Sequence, residues 1–263
     1  VKGGSVFKSL KGQLSLDHRI LTFDKAVAQL GRGTMSGRVR VDSRGKVPLL
    51  TTELRIDGAS FDDFIGQPDM IRGPVRGLVR ISGRGDTVRQ AFASGNGKIA
   101  FVASGGAMNR AAAYVMAQDL GGAIGQKLGD DEAMTPIRCA ILAFSAKDGL
   151  LTPAPLVIDT TIARARGRGQ INLDGERIAL AMNGAGSEKP DLKLVDPVKV
   201  EGTLSQPTIG FAPPGKKSGG GVFGAVTRSI GAALGLHKDP QRDATLPKPG
   251  TVNCRALAAE ALR

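Results

Sequence analysis

The sequence predicts a mainly β protein: a long, twisted, largely antiparallel sheet with an apolar groove or face, plus two or three amphipathic helices. Three observations lead there. Between Ser5 and Phe211, short runs alternate apolar and polar residues, and a period of two places successive side chains on opposite faces of a strand. Turn signals divide the runs, above all Lys147-Asp148-Gly149 and Leu173-Asp174-Gly175-Glu176, where Gly tolerates the positive φ of tight hairpin turns. The 37 glycines are about twice the usual fraction, and they are spread through the β segments, where they serve turns, bulges and curvature.

Taken in order, residues 5–56 read as successive strands. Leu14 and Leu16, then Leu21 and Phe23, then Met35, Gly37, Val39 and Val41 share one side, against Ser36, Arg38 and Arg40. After the turn at Ser43-Arg44-Gly45, Leu50, Thr52, Leu54 and Ile56 alternate with Thr51, Glu53 and Arg55. Ser60 to Ile65 predicts a short helix with Ser60 as N-cap and Asp62 and Asp63 in its first turn, ended by Gly66 and Pro68. Val75, Gly77, Val79 and Ile81 form the next strand, Thr87 to Ala93 a short helix, and Ile99, Phe101 and Ala103 another strand. Met108 to Leu128 is the longest helical stretch, with Met108, Ala112, Val115, Met116, Leu120, Ile124 and Leu128 on one face. Gly121, Gly122 and Gly125 mark the place for a break in it.

From Ile137 to Met182 the pattern is an antiparallel meander. Leu156, Ile158 and Ile162 mark one strand, and Gly169, Ile171 and Leu173 the next. Val198 to Leu204 and Ile209 to Phe211 add two short strands. This divides the chain into a β-sheet domain over 1–212, a Gly-, Pro- and Lys-containing linker over 213–250 with an amphipathic helix at 222–236, and a short C-terminal helix within 251–263. The expected apolar-face residues are Ile99, Phe101, Ile171, Leu173, Ile178, Leu180 and Met182.

Charge and composition narrow the function classes. Thirty-six Lys and Arg against 24 Asp and Glu give a net charge of +12, which favours polyanions or anionic lipid surfaces. Aromatic content is 4%, with no Trp and one Tyr, so the stacking groups of a nucleic-acid binder are missing and no nucleic-acid partner is expected. The same scarcity argues against an outer-membrane barrel with its aromatic girdles. No apolar run approaches the ~20 residues of a spanning helix. His18 and His237 are the only histidines, and no spacing resembles a metal site or a nucleophile motif. Gly210 to Lys217 looks superficially like a phosphate loop, but Pro213 and Pro214 have no N–H to offer phosphate. No cofactor and no enzymatic activity are expected. Arg164, Arg166 and Arg168 alternate along one strand, and read either as a solvated surface or as a contact for anionic headgroups.

The order of Phe144–Gly149, then Ile158-Asp159-Thr160, then Gly167-Arg168-Gly169-Gln170-Ile171-Asn172-Leu173 resembles the C-terminal region of the AsmA family. Gly95-Asn96-Gly97-Lys98-Ile99 and the segment after Gly105-Gly106 extend the similarity, which covers most of residues 1–212. The resemblance implies a member of the bridge-like lipid-transfer superfamily. Such a protein would be periplasmic and held in the inner membrane by an N-terminal segment absent from this chain. Its β-groove would be implicated in phospholipid transport towards the outer membrane and in outer-membrane assembly, with phospholipid, an anionic membrane surface and other envelope proteins as partners. A structural adaptor with a closed core and a basic polyanion-binding protein are the alternatives. The implied compartment is oxidising, which permits a bond between Cys139 and Cys254, the only two cysteines. Cys139 also shares an alternating run with Ile137 and Ile141, where a free buried thiol is ordinary, and the sequence leaves the two readings open.

Overall fold

The computed structural model describes residues 7–61, 70–129, 132–187, 197–210 and 251–263. The chain opens with β1 (Phe7–Asp17), β2 (Ile20–Leu30), β3 (Thr34–Asp42) and β4 (Leu49–Ser60). There follow β5 (Ile71–Arg72), β6 (Pro74–Arg84), α1 (Val88–Ala93), β7 (Asn96–Ala103), β8 (Ala107–Asn109), α2 (Arg110–Met116) and α3 (Leu120–Gly129). The second half holds β9 (Met134–Lys147), β10 (Leu150–Thr160), β11 (Ala163–Asn172), β12 (Arg177–Gly186), β13 (Val198–Thr203), β14 (Pro207–Gly210) and α4 (Cys254–Ala261). These strands form one 14-stranded sheet in the order β1-β2-β3-β4-β6-β7-β9-β10-β11-β12-β13-β14, with β5 and β8 paired beside the start of β9. Every pairing is antiparallel, and the sheet is not closed.

Local chemistry explains the meander. His18 and Arg19, at φ 44° and 67°, turn β1 into β2, and Asp148 and Gly149, at φ 47° and 73°, turn β9 into β10. Two successive left-handed residues make the primed turn whose twist matches paired strands. At Gly149 the Ala93 carbonyl occupies the place a side chain would need. Between β11 and β12, the Asn172 carboxamide oxygen accepts the N–H groups of Asp174 and Gly175 at 2.9 and 3.1 Å. Leu173 therefore sits in this turn rather than in a strand.

The sheet has two unlike faces. Strand registers align Gly37, Leu54, Val79, Ile99 and Phe144 across β3, β4, β6, β7 and β9. A parallel row runs Met35, Ile56, Gly77, Phe101, Leu142, Leu156, Gly167, Met182 and Val198. Helix α1 covers one end of this apolar face, its Phe92 packing with Ile81 and Phe144. Its N-cap is Thr87, whose hydroxyl accepts the Gln90 N–H. Helix α2 covers the other end over small residues, Ala140 and Ala163 among them, and the Met116 carbonyl approaches Gly184 too closely for any side chain there.

The single helix expected over Met108 to Leu128 is three elements. Met108 belongs to β8, and Gln118, at φ 63°, separates α2 from α3. The break falls at Gln118 and not at the glycines, because the Gln118 carboxamide turns inward to accept the Gly184 N–H at 3.3 Å. Helical backbone begins at Phe61, directly after Ser60, where the N-cap is expected. Ser60 ends β4 and its hydroxyl donates to the Gly73 carbonyl at 3.4 Å. The rest of that helix, the expected helix at 222–236 and the linker over 213–250 lie outside the described residues.

On the opposite face, α4 packs Ala258 and Ala261 onto Leu78, Ala100, Val102, Cys139, Ile141 and Ala143. A disulfide joins Cys139 to Cys254, with Cα atoms 5.8 Å apart. Ile137 does not share this face with Cys139. The β9–β10 register shifts between Asp159 and Thr160, so Ile137 packs beneath α2 with the other apolar face. Closing a loop over a separation of 115 residues contributes about 4–5 kcal/mol in the chain-entropy model. Cys254→Ser is expected to lower the denaturant midpoint and to remove amide protection from Leu257 to Ala261 before the sheet opens. Unchanged hydrogen exchange in α4 would show that packing alone holds it.

Candidate functional site

Six of the seven expected apolar-face residues lie in or against one apolar cluster, and Phe101 packs against two neighbouring ones. Ile171 and Met182 are buried; Ile99, Leu173, Ile178 and Leu180 are partly buried against them. Phe101 sits further along the same face, packed beside Phe61, Val75 and Met108 and against Leu30 and Ile56. Leu173 reaches the cluster from its turn. The register stacks Ile171 on Ile178, Gly169 on Leu180 and Gly167 on Met182. At Gly167 a side chain would collide with Leu156 and Met182, so the glycine makes room for two larger neighbours. Val79, Leu142, Phe144, Leu156 and Val198 complete the surface. Val79 and Leu156 mark the apolar side of their strands in the sequence, and Leu142, Phe144 and Val198 fall on the apolar phase of theirs.

The band this makes is apolar but not closed. Between the end covered by α1 and the end covered by α2, Val79, Ile99, Leu142, Ile158, Ile178 and Leu180 keep part of their surface in solvent. The band crosses eight strands, from β4 to β13, which spans about 34 Å at the ~4.8 Å strand spacing. Towards β1 the same face loses its cover. Leu10, Leu14 and Leu16 are 62%, 69% and 74% exposed, and Leu14 and Leu16 pair with Phe23 and Leu21 of β2.

The other face is basic. Arg38, Arg55, Arg76, Arg80, Arg166 and Arg168 are exposed on it. Some of this charge is matched locally: Arg38 donates from Nε and Nη2 to the two Asp24 carboxylate oxygens, each at 2.9 Å. That pairing, with the Lys25 N–H, holds the Asp24 carboxyl below its usual pKa.

The three alternating arginines do not form one surface. Arg166 and Arg168 are exposed, whereas Arg164 is 2% exposed. It is covered by the C-terminal segment and donates from Nη1 to the Thr251 hydroxyl at 3.0 Å. Asp159, 1% exposed, stands opposite it in the β10–β11 ladder and opposite Cys139 in the β9–β10 ladder. Burial pushes the Arg164 guanidinium below its ordinary pKa, Arg166 adds to this, and Asp159 opposes it. Arg164 is thus removed from the expected headgroup contacts. Alternation correctly set its face, but not the segment that covers it.

Among the described residues, no group of three His, Cys, Asp or Glu is placed to hold a metal ion, and no helix is long and apolar enough to cross a membrane. The chain matches no family model, no curated protein and no solved structure.

Arg164→Gln leaves the buried Asp159 carboxylate facing a neutral partner and is expected to cost about 3 kcal/mol of stability. Arg168→Gln, at an exposed position, changes stability by less than about 0.5 kcal/mol. Chemical denaturation of the two variants checks the difference; equal effects would mean that the Arg164 charge is solvated.

Proposed function

We propose that this protein is a non-enzymatic envelope component that holds phospholipid acyl chains on its apolar band. The observation that carries the reading is a half-exposed apolar band crossing an open sheet without interruption by charge. Acyl chains laid on such a surface leave water at about 0.8 kcal/mol per CH₂. The sheet's backbone groups are spent on their own ladders, so few polar groups of the main chain compete for water along the band. Its length exceeds half of the ~30 Å hydrocarbon thickness of a bilayer, which is the reach of one acyl chain.

The AsmA resemblance supplies the setting of this proposal: phospholipid moving towards the outer membrane, in the periplasm, from an inner-membrane anchor outside this chain, with a part in outer-membrane assembly. The Cys139–Cys254 bond supports an oxidising compartment. The basic face, with Arg166 and Arg168 exposed, fits an anionic membrane surface better than nucleic acid, because the band between its helices offers aliphatic surface and few stacking rings.

Lipid extraction and mass spectrometry of the purified chain should find co-isolated phospholipid. Leu180→Arg should reduce it about ten-fold, the worth of one leucine contact, in a protein that still unfolds cooperatively. A lipid-free wild type, or loss of cooperative folding in Leu180→Arg, would identify a dry core and overturn the reading.

The Arg166→Gln/Arg168→Gln variant should bind phosphatidylglycerol vesicles more weakly than wild type, with a difference that shrinks as salt is raised. Equal binding at low salt would leave these two arginines as solvated surface.

A further inference from the structure

A bulge in β2 shapes the basic face, on the side of the sheet away from the apolar band. Phe23 pairs with Val39 and Ala26 with Gly37, so Asp24 and Lys25 together stand opposite Arg38 alone. Lys25 takes φ 48° there, a left-handed backbone that a lysine keeps only where its surroundings impose it. The extra residue has two effects. It shifts the phase of β2, so that Ala26, Ala28 and Leu30 are buried while Val27 turns to the basic face, 43% exposed. It also brings Asp24, Lys25 and Arg38 to the rim of one hollow, as bulges do where a strand re-aims its side chains.

The hollow measures about 430 Å³ and is lined by β2, β3, β4 and β6. Val27, Ser36, Arg55 and Leu78 are successive cross-strand partners over these four strands. The Ser36 hydroxyl and the Arg55 guanidinium therefore stand side by side, flanked by two aliphatic side chains. Four cations, Lys25, Arg38, Arg55 and Arg80, face two carboxylates, Asp24 and Glu53, a surplus of two positive charges. The carboxylates are engaged already. Asp24 accepts both arms of Arg38 and the Lys25 main-chain N–H, and Glu53 stands in the ladder between Arg38 and Arg80. Arg80 donates to the Arg263 carbonyl. Among the described residues, no acceptor is bonded to the Lys25 ammonium or to the Arg55 guanidinium.

We propose that this hollow binds a phosphate monoester. Arg55 presents its planar fork to two phosphate oxygens, Lys25 adds a point charge, and the Ser36 hydroxyl adds a donor. A monoester carries about −1.5 to −2 at pH 7 and so matches the surplus, whereas a diester carries a single charge. Val27 and Leu78 give the carbon atoms of the ester an apolar surface. The hollow opens on the face opposite the apolar band, so its phosphate does not belong to a lipid lying along the middle of that band. The ester is a small soluble molecule or the terminal phosphate of a lipid in a facing membrane.

Titration of the 263-residue chain with sn-glycerol 3-phosphate, followed by nuclear magnetic resonance, should show saturable shifts at Ser36 and Arg55. Arg55→Gln and Lys25→Asn should each weaken binding about ten-fold, the worth of one charged hydrogen bond. Asn tolerates the left-handed backbone, so the second variant removes the charge and keeps the bulge. Dimethyl phosphate, a diester, should bind about ten-fold more weakly than the monoester. Arg177→Gln should leave the affinity unchanged. Arg177 is exposed on β12, six strand spacings from β4, which is about 29 Å and beyond the reach of a screened charge. Vesicles containing phosphatidic acid separate the two sources: a loss of binding in Arg55→Gln identifies a lipid headgroup, and vesicle binding indifferent to it, beside Arg55-dependent glycerol 3-phosphate binding, identifies a soluble ester. Binding of neither probe, an affinity indifferent to Arg55→Gln and Lys25→Asn, equal losses in Arg55→Gln and Arg177→Gln, or a diester held as tightly as the monoester would overturn the proposal. Glycerol 3-phosphate has no acyl chain, so failure here leaves the acyl-chain reading to its own test.

Discussion

The double-sided burial of β9 is the constraint on which the rest of the molecule depends. This strand sends Ala140, Leu142 and Phe144 into the apolar face, and Cys139, Ile141 and Ala143 towards α4. An antiparallel strand with one wet face would carry polar residues at every second position. β9 is instead apolar on both sides through its middle, and its pairing with β7 and β10 places it near the centre of the sheet. Away from β9 the demand relaxes, and on β1 Leu10, Leu14 and Leu16 are exposed.

Cover is supplied where neighbours are small. α2 rests on alanines and on Gly184, and α4 presents Ala258 and Ala261 to Ala100 and Ala143. Short helices can approach the strands this closely only because their contact residues lack bulk, and close approach recovers dispersion contacts that a short helix otherwise forfeits. α4 is only eight residues long, too short to be stable alone. It is fixed by the disulfide, by Arg164 bonding Thr251, and by Lys98 and Arg80 donating to the carbonyls of Glu260 and Arg263. Cations at a helix C-terminus satisfy its orphan carbonyls and oppose its dipole.

The same arrangement separates two kinds of surface by the thickness of one sheet. Among the described residues, helices cover only the ends of the apolar band and leave its middle open. Among the described residues, α4 covers the basic face only around β9.

Much of the fold was legible in the alternation itself. The apolar phase of Ile178, Leu180 and Met182, or of Leu50, Thr52, Leu54 and Ile56, follows from the period of two, because a one-residue slip would turn every side chain to the wrong face. The primed turn at Asp148-Gly149 was equally local. What remained illegible was set by groups distant in the chain. Alternation put Ile137 beside Cys139, and a single register shift separated them. It put Arg164 beside Arg166 and Arg168, and a segment nearly ninety residues later covered it. It ran one helix through Gln118, whose side chain instead turned to a strand 66 residues away. The sequence by itself determined which residues could share a face, since that depends on neighbours along the chain. Only the tertiary structure decided which part of each face is covered, because burial depends on which distant segments pack there.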